Sequence, residues 1–234
     1  MAGNTLTWLG HSAFLIEFPS GQRILTDPWL GNPLCPPRLS KPEALKPVHL
    51  ILVSHGHNDH AGDAVAVGRA TGAPVVCPFE LGNYLTSKGL QNVKDMGIGG
   101  TQEVAGIKIT MTFAAHSGSI EDGGTIYTGG ATGFVLRAPD APTMYFAGDT
   151  GLFGDMKIIA ELYRPEIAFL PIGDHYTMGP DTAAIAAKWL SVRQVVPMHW
   201  GTFPLLAGTP AMLKEHLAGT GIDVLELKPG ERAE

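Results

Sequence analysis

Ser54-His55-Gly56-His57-Asn58-Asp59-His60 comes directly after the apolar run His49 to Val53, and the junction between the two decides the fold. A short apolar run closed by a Gly-containing polar stretch reads as a buried strand ending in a tight loop. At such a strand end, alternation aims His55 and His57 the same way, while Asp59 and His60 turn toward a neighbouring point. Imidazole nitrogen and carboxylate oxygen are good ligands for Zn, Mn, Fe or Ni. The competing reading is a polar loop whose histidines cap backbone groups. Cys35 and Cys77 are far apart and form no Cys-x-x-Cys pair, which argues against a closed structural zinc site.

Upstream of this stretch, Leu6 to Leu9, Ala13 to Phe18 and Arg23 to Leu25 read as further strands. Downstream, helical spacing appears at Ala64 to Thr71 and Glu80 to Lys88, and strand chemistry returns at Ile107 to Phe113, Gly133 to Leu136 and Thr143 to Phe146. The second half alternates again: helix Met156 to Tyr163, strand Ile167 to Pro171, helix Asp181 to Leu190 and strand Gln194 to Pro197. A last helix, Pro210 to Leu217, precedes a strand near Val224 to Leu227. Strands first, then strands interleaved with helices, suit an α/β (α+β) fold of two face-to-face sheets with helices outside, a four-layer α/β/β/α sandwich. Two loop-like stretches, the Pro-rich Gly31 to Pro47 and the Gly-rich Ser117 to Gly133 with Tyr127 inside it, are expected to wall a substrate pocket.

With 234 residues, 44% of them hydrophobic and 16% charged, the chain is expected to form one globular domain spanning 1–234. A net charge of −6 without any basic cluster speaks against nucleic-acid binding. No apolar run approaches the ~20 residues of a membrane span, and Met1 to Asn4 leads into the first strand without the blocks of a signal peptide. The expectation is a cytoplasmic protein with a small-molecule substrate, able to form a homo-oligomer.

A two-ion site needs more donors than one loop supplies. His116, Asp149 and His199 each terminate an apolar run, the place where open sheets present ligands. Taken singly, each would more often cap a strand end. Together with the Ser54 to His60 stretch they read as ligands.

This order of residues resembles the ligand order of the metallo-β-lactamase superfamily: H-x-H-x-D-H, a lone His, Gly-Asp-Thr, then a late His. Trp8-Leu9-Gly10-His11-Ser12, Thr26-Asp27-Pro28, Gly148-Asp149-Thr150-Gly151, Gly173-Asp174-His175 and Pro197-Met198-His199-Trp200-Gly201-Thr202-Phe203 are similar to a bacterial and archaeal family of uncharacterised metal-dependent hydrolases. That family is itself similar to ascorbate-phosphate lactonases and, more distantly, to phospholipases D that act on N-acylated phosphatidylethanolamine. The resemblance implies the metallo-β-lactamase fold and two divalent ions, zinc first, with Mn, Fe or Ni as alternatives. It implies His55, His57 and His116 on one ion, Asp59, His60 and His199 on the other, and Asp149 bridging them.

Paired cations lower the pKa of a shared water toward ~7, making hydroxide the nucleophile. A small ester, lactone or phosphoester is the expected substrate, lactone or phosphoester ahead of the others. Asp59 would also orient the water. His175 is the candidate proton donor, with Asp174 and Tyr176 beside it as substrate-binding residues. His11 and Asp27 are expected near the metal loop, His11 supporting it or meeting substrate, and Asp27 fixing the tautomer of a ligand histidine. His49 and His216 read as solvated or core residues. The alternatives are a nuclease or phosphodiesterase of the same superfamily, an iron-dependent oxidoreductase, and a non-catalytic metal-binding protein.

Overall fold

The computed structural model describes residues 4–234. Its first three strands, β1 (Thr5–Trp8), β2 (Phe14–Glu17) and β3 (Arg23–Thr26), form an antiparallel meander. After two 3-10 turns, Pro37–Leu39 and Pro42–Leu45, β4 (Leu50–Leu52) joins β3 in parallel and opens directly onto the Ser54 to His60 stretch. Two helices, α1 (Asn58–Ala61) and α2 (Ala64–Thr71), lead to β5 (Val75–Pro78), and α3 (Phe79–Ser87) leads to β6 (Val93–Met96). The second sheet starts with the hairpin β7 (Thr101–Val104) and β8 (Ile107–Phe113). A small separate hairpin follows, β9 (Ser119–Glu121) with β10 (Thr125–Tyr127), and then β11 (Thr132–Arg137) and β12 (Met144–Phe146). Beyond α4 (Met156–Tyr163) the chain alternates through β13 (Ile167–Pro171), α5 (Pro180–Leu190), β14 (Gln194–Met198), α6 (Pro210–Leu217) and β15 (Asp223–Val224). The chain ends by returning to the first sheet with β16 (Arg232–Ala233), paired antiparallel to β1.

Two seven-stranded sheets result, ordered β16-β1-β2-β3-β4-β5-β6 and β15-β14-β13-β12-β11-β8-β7. In the first sheet, alternation divides side chains between two cores. Phe14, Ile16, Ile24, Leu50 and Leu52 join Phe134, Phe146 and Phe169 of the second sheet in the central core. Leu15, Leu25 and Ile51 pack the other way, with Val67 of α2 and Leu81 and Leu85 of α3. Phe14 and Phe169 meet edge to face at 5.1 Å across the sheet interface, a geometry that aromatic pairs favour. Packed face to face, the sheets bring the ends of β4, β8, β12 and β14 to one rim, which is where the candidate ligands leave their strands.

Several expectations are adjusted by the structure. Strands β5, β6, β7, β9, β10 and β16 lie outside the expected set. All but β5 are edge or hairpin strands, with much polar, exposed sequence: β6 reads Val-Lys-Asp-Met, β7 reads Thr-Gln-Glu-Val, and all three residues of β10 are exposed. The last parallel strand is Asp223–Val224 and stops short of Leu227. The Ser117 to Gly133 stretch holds the β9–β10 hairpin, and the Gly31 to Pro47 stretch holds the two 3-10 turns.

Candidate metal centre

The first donors come from the end of β4. His55 follows it while still buried, His57 stands at the start of α1, and the single helical turn of α1 carries Asp59 and His60. Helical curvature there gives Asp59 and His60 a different direction from the two preceding histidines. His116 lies just past β8, and its neighbour Ala115 is tied to the residues after Asp149. The Ala115 N–H donates to Thr150 Oγ1 at 2.9 Å, and the Gly151 N–H donates to the Ala115 carbonyl at 3.1 Å. Gly148 lets Asp149 approach, because it has φ +62° and a Cβ there would stand 2.4 Å from the Thr132 carbonyl oxygen. His199 ends β14 in the left-handed region at φ 54°, and its N–H donates to the His11 carbonyl at 3.1 Å. His11 and Asp27 are left-handed as well, at 54° and 35°. Such backbone costs on the order of 1–2 kcal/mol per non-Gly residue and gathers where packing aims side chains at a functional point.

Two groups of donor atoms converge. His55 Nε2 lies 3.0 Å from His57 Nδ1, and His116 Nε2 lies 3.3 Å from the same atom, a triangle of three imidazoles. Asp59, His60 and His199 form the second group, and His11 joins them with its Nε2 3.1 Å from Asp59 Oδ2. Asp149 faces both groups. Its Oδ2 is 3.0 Å from His199 Nε2 and 3.2 Å from His60 Nε2 on one side, and 3.7 Å from His116 Nε2 and 4.0 Å from His55 Nε2 on the other. Six of the nine histidines in the chain therefore gather at this rim.

Whether these residues suit cations is decided by what lies behind them. Asp27, fully buried, accepts the Ser54 N–H on Oδ1 and both the Ser54 hydroxyl and His60 Nδ1 on Oδ2, all within 2.7 to 2.8 Å. The Ser54 hydroxyl oxygen in turn accepts from His55 Nδ1 at 2.9 Å. One carboxylate thus holds the Nδ1 protons of two histidines, His60 directly and His55 through Ser54, and leaves the Nε2 lone pair of each pointing at the rim. Asp27, His55 and His60 also lie close enough together to resemble a third donor group. Their mutual hydrogen bonds already satisfy them, so they serve as backing. At the rim the opposite holds, because His60 Nε2 and Asp149 Oδ1 are buried without a hydrogen-bond partner. Buried polar atoms seldom go unpaired. Cations at the two convergence points would satisfy both atoms and relieve the crowding of imidazole lone pairs.

Charge distribution supports the same reading. Burial pushes the His55 imidazolium well below its usual pKa, and burial lowers His57 and His116 too. Burial also works against a charged His60, yet Asp149, Asp59 and Asp27 around it outweigh that and hold its pKa well above the ordinary value. Burial would raise Asp149, but His199 and His60 overcome it and keep the carboxylate ionised; at Asp59, His60 and the His11 hydrogen bond do the same. Burial brings His11 down to about 4 despite its bond to Asp59, so its imidazole is neutral at physiological pH.

A cavity of about 690 Å³ opens onto the rim. Its floor includes His57, Asp59, His116, Asp149 and His199, and its walls include Trp29, Tyr176, Phe203 and Leu205. His11 is not on that wall. It is fully buried behind Asp59, with Nδ1 2.9 Å from Thr202 Oγ1. Of the three residues after β13, Tyr176 lines the cavity, whereas Asp174 and His175 are exposed beside it, with the His175 ring against the Tyr176 ring at 4.4 Å. Neither long stretch expected to wall the pocket contributes more than Ser117, and Tyr127 is 73% exposed on its hairpin. His49 accepts the Arg23 N–H away from the site, and His216 is exposed on α6. Sequence reasoning missed the Ser54 hydroxyl, Trp29 and Phe203. Ser54 sits inside the quoted stretch beside His55, but its acidic partner Asp27 is 27 residues away in the chain, so only the fold reveals the relay; nothing marked Trp29.

The model of a beta-lactamase superfamily domain matches residues 22–200. A UPF0173 metal-dependent hydrolase of Koribacter versatilis is 48% identical over 233 residues, covering 99% of this chain and 98% of that protein. Its counterpart in Methanosarcina barkeri is 45% identical over 234 residues, covering 99% and 98%. Among solved structures, Igni18, a metallo hydrolase from Ignicoccus hospitalis, superposes with TM-score 0.86 at 39% identity, covering 98% of this chain and 97% of its own.

Proposed function

Because the chain belongs to the metallo-β-lactamase superfamily and is a metal-dependent hydrolase, we propose that it hydrolyses a small ester, lactone or phosphoester and would hold two divalent cations for that reaction. Zinc is the first candidate, and Mn, Fe and Ni suit the same donors. The observation that carries this reading is Asp149, a single ionised carboxylate within 4.0 Å of histidines from both donor groups. His55, His57 and His116 would hold one ion, and Asp59, His60 and His199 the other. When bound, such ions lower the pKa of a coordinated water and polarise the oxygen of the scissile group.

The protein's own groups supply the rest. Asp27 and Ser54 keep His55 and His60 in the ligating tautomer, and His11, bonded to Thr202 and Asp59, holds the Asp59 carboxylate in place. Asp59 reaches the cavity and is the group best placed to orient water toward a substrate lying there. His175 is exposed and off the cavity wall, so we assign it no proton transfer. Two free cysteines, Cys35 and Cys77, both buried, suit a reducing cytoplasm, where we place the protein. No helix among the described residues is long and apolar enough to cross a membrane.

The test is a panel of lactones, esters and phosphodiesters given to protein stripped by chelator and reloaded separately with each metal. Two metal equivalents per chain and turnover that disappears in His57→Ala are expected. Equal rates in the wild type and His57→Ala would assign the activity to a contaminant.

A further inference from the structure

Twelve residues line the cavity above the metal centre, and none is Lys or Arg. Two of them, Asp59 and Asp149, are carboxylates on the floor. Proteins that hold phosphate monoesters or diesters usually meet the non-reacting oxygens with guanidinium or ammonium groups. Here no such partner is available for negative charge that lies away from the ions.

The wall that is present is apolar and aromatic. Trp29 and Phe203 stack with ring centroids 5.7 Å apart and planes 25° apart, and Leu205, 55% exposed, continues the surface outward. Both rings stand edge-on to His11, Trp29 at 5.2 Å and Phe203 at 5.6 Å, and His11 is bonded to Asp59. One imidazole therefore separates the apolar wall from a donor of the metal centre. An apolar group packed on this wall would place its neighbouring atoms directly over the floor.

Building on the hydrolase reading above, we propose that this cavity selects an uncharged carbonyl substrate, an ester or lactone with an apolar acyl chain or ring, which packs on Trp29, Phe203 and Leu205. In the reaction, water's oxygen forms a new bond to the acyl carbon and the acyl carbon–oxygen bond breaks. One water proton goes to the departing alkoxide, and the other is released when the product acid ionises. Burial of each further methylene on the wall is worth up to about fourfold in binding.

The experiment uses the full-length metal-loaded protein and p-nitrophenyl esters from acetyl to octanoyl, alkyl-substituted lactones, and bis-p-nitrophenyl phosphate with the same leaving group. From acetyl to hexanoyl, kcat/KM should rise at least about tenfold, mostly through KM. The phosphodiester should trail the best ester by about a hundredfold or more. Phe203→Ala and Leu205→Ser should flatten the chain-length dependence while metal content stays at the wild-type level. Leu205, exposed, guards against a folding artefact. In parallel, quenching of tryptophan fluorescence by octanoate, lost in Trp29→Phe, is compared with quenching by inorganic phosphate. A flat chain-length profile, a phosphodiester that matches the best ester, or phosphate binding more tightly than octanoate would overturn the proposal. Octanoate binding without turnover of any substrate would leave the apolar wall standing and defeat the hydrolase reading instead.

Discussion

His57 and His116 of the first donor group are partly open to solvent at the cavity floor, with His55 buried beside them, whereas the histidines grouped with Asp59 (His60, His199 and His11) are sealed at 0–1% exposure, although Asp59 and His199 also line the floor. The sealed group is braced by Asp27 on His60 and by Thr202 and His11 next to Asp59. The open group has one brace, the Ser54 hydroxyl on His55. Enclosure strengthens electrostatic interactions and fixes geometry, while openness admits water and substrate. The buried histidines thus brace the site, His57, His116 and Asp59 face what enters the cavity, and Asp149 faces both groups.

Removing the join should have the largest effect. Asp149→Ala is expected to empty or loosen both positions and to lower kcat by about a hundredfold to a thousandfold, the scale of losing one charged group in a water-excluded site. Metal stoichiometry beside initial rates checks it, and two retained metals with a near-normal rate would refute the shared-carboxylate picture. Next comes the backing. Asp27→Asn should weaken metal binding about tenfold to a hundredfold at both positions, and Ser54→Ala should do so only at the His55 group. A chelator-competition titration resolves the two, and equal losses in the two variants would deny the asymmetry.

Acidity offers a gentler probe. His60, held well above its ordinary pKa, carries a proton at pH 7 in chelated protein and must release it to ligate. Affinity at the sealed position should therefore fall as the pH is lowered from 8 to 6.5. The open group should stay nearly flat there, because burial already keeps His55, His57 and His116 neutral. Calorimetry in buffers of different ionisation enthalpy counts the proton, and no release at pH 7 would contradict the reading of His60. The smallest change is expected of His175→Ala, an exposed position outside the cavity lining, within about 0.5 kcal/mol in stability and twofold in rate. A larger drop in rate would restore His175 as a proton donor.

How much of this could be read in advance varies from element to element. β4, β13 and β14 are contiguous apolar runs because both of their faces are covered, and such runs stand out. β6 and β7 are edges with polar, half-exposed side chains, and their pairing comes from neighbours far along the chain. His11 and His175 look alike on paper, each beyond a strand and near a glycine. The Trp8 indole and the His199 N–H both donate to the His11 carbonyl and hold it inside; no comparable bond draws His175 in, and it lies against Tyr176 at the surface.

The order of residues settled the donor chemistry and the strand ends that carry it, because ligand type and apolar periodicity are local properties. Distances between those ends are not local. Asp27 and Ser54 meet only when β3 and β4 pair, and Asp149 reaches the same rim only when two sheets pack face to face and Gly148 lets one strand end close on another. Side-chain placement at that rim then separated His11 from the substrate wall and put Trp29 and Phe203 on it, since burial depends on everything packed around a residue and not on the residues beside it in the chain.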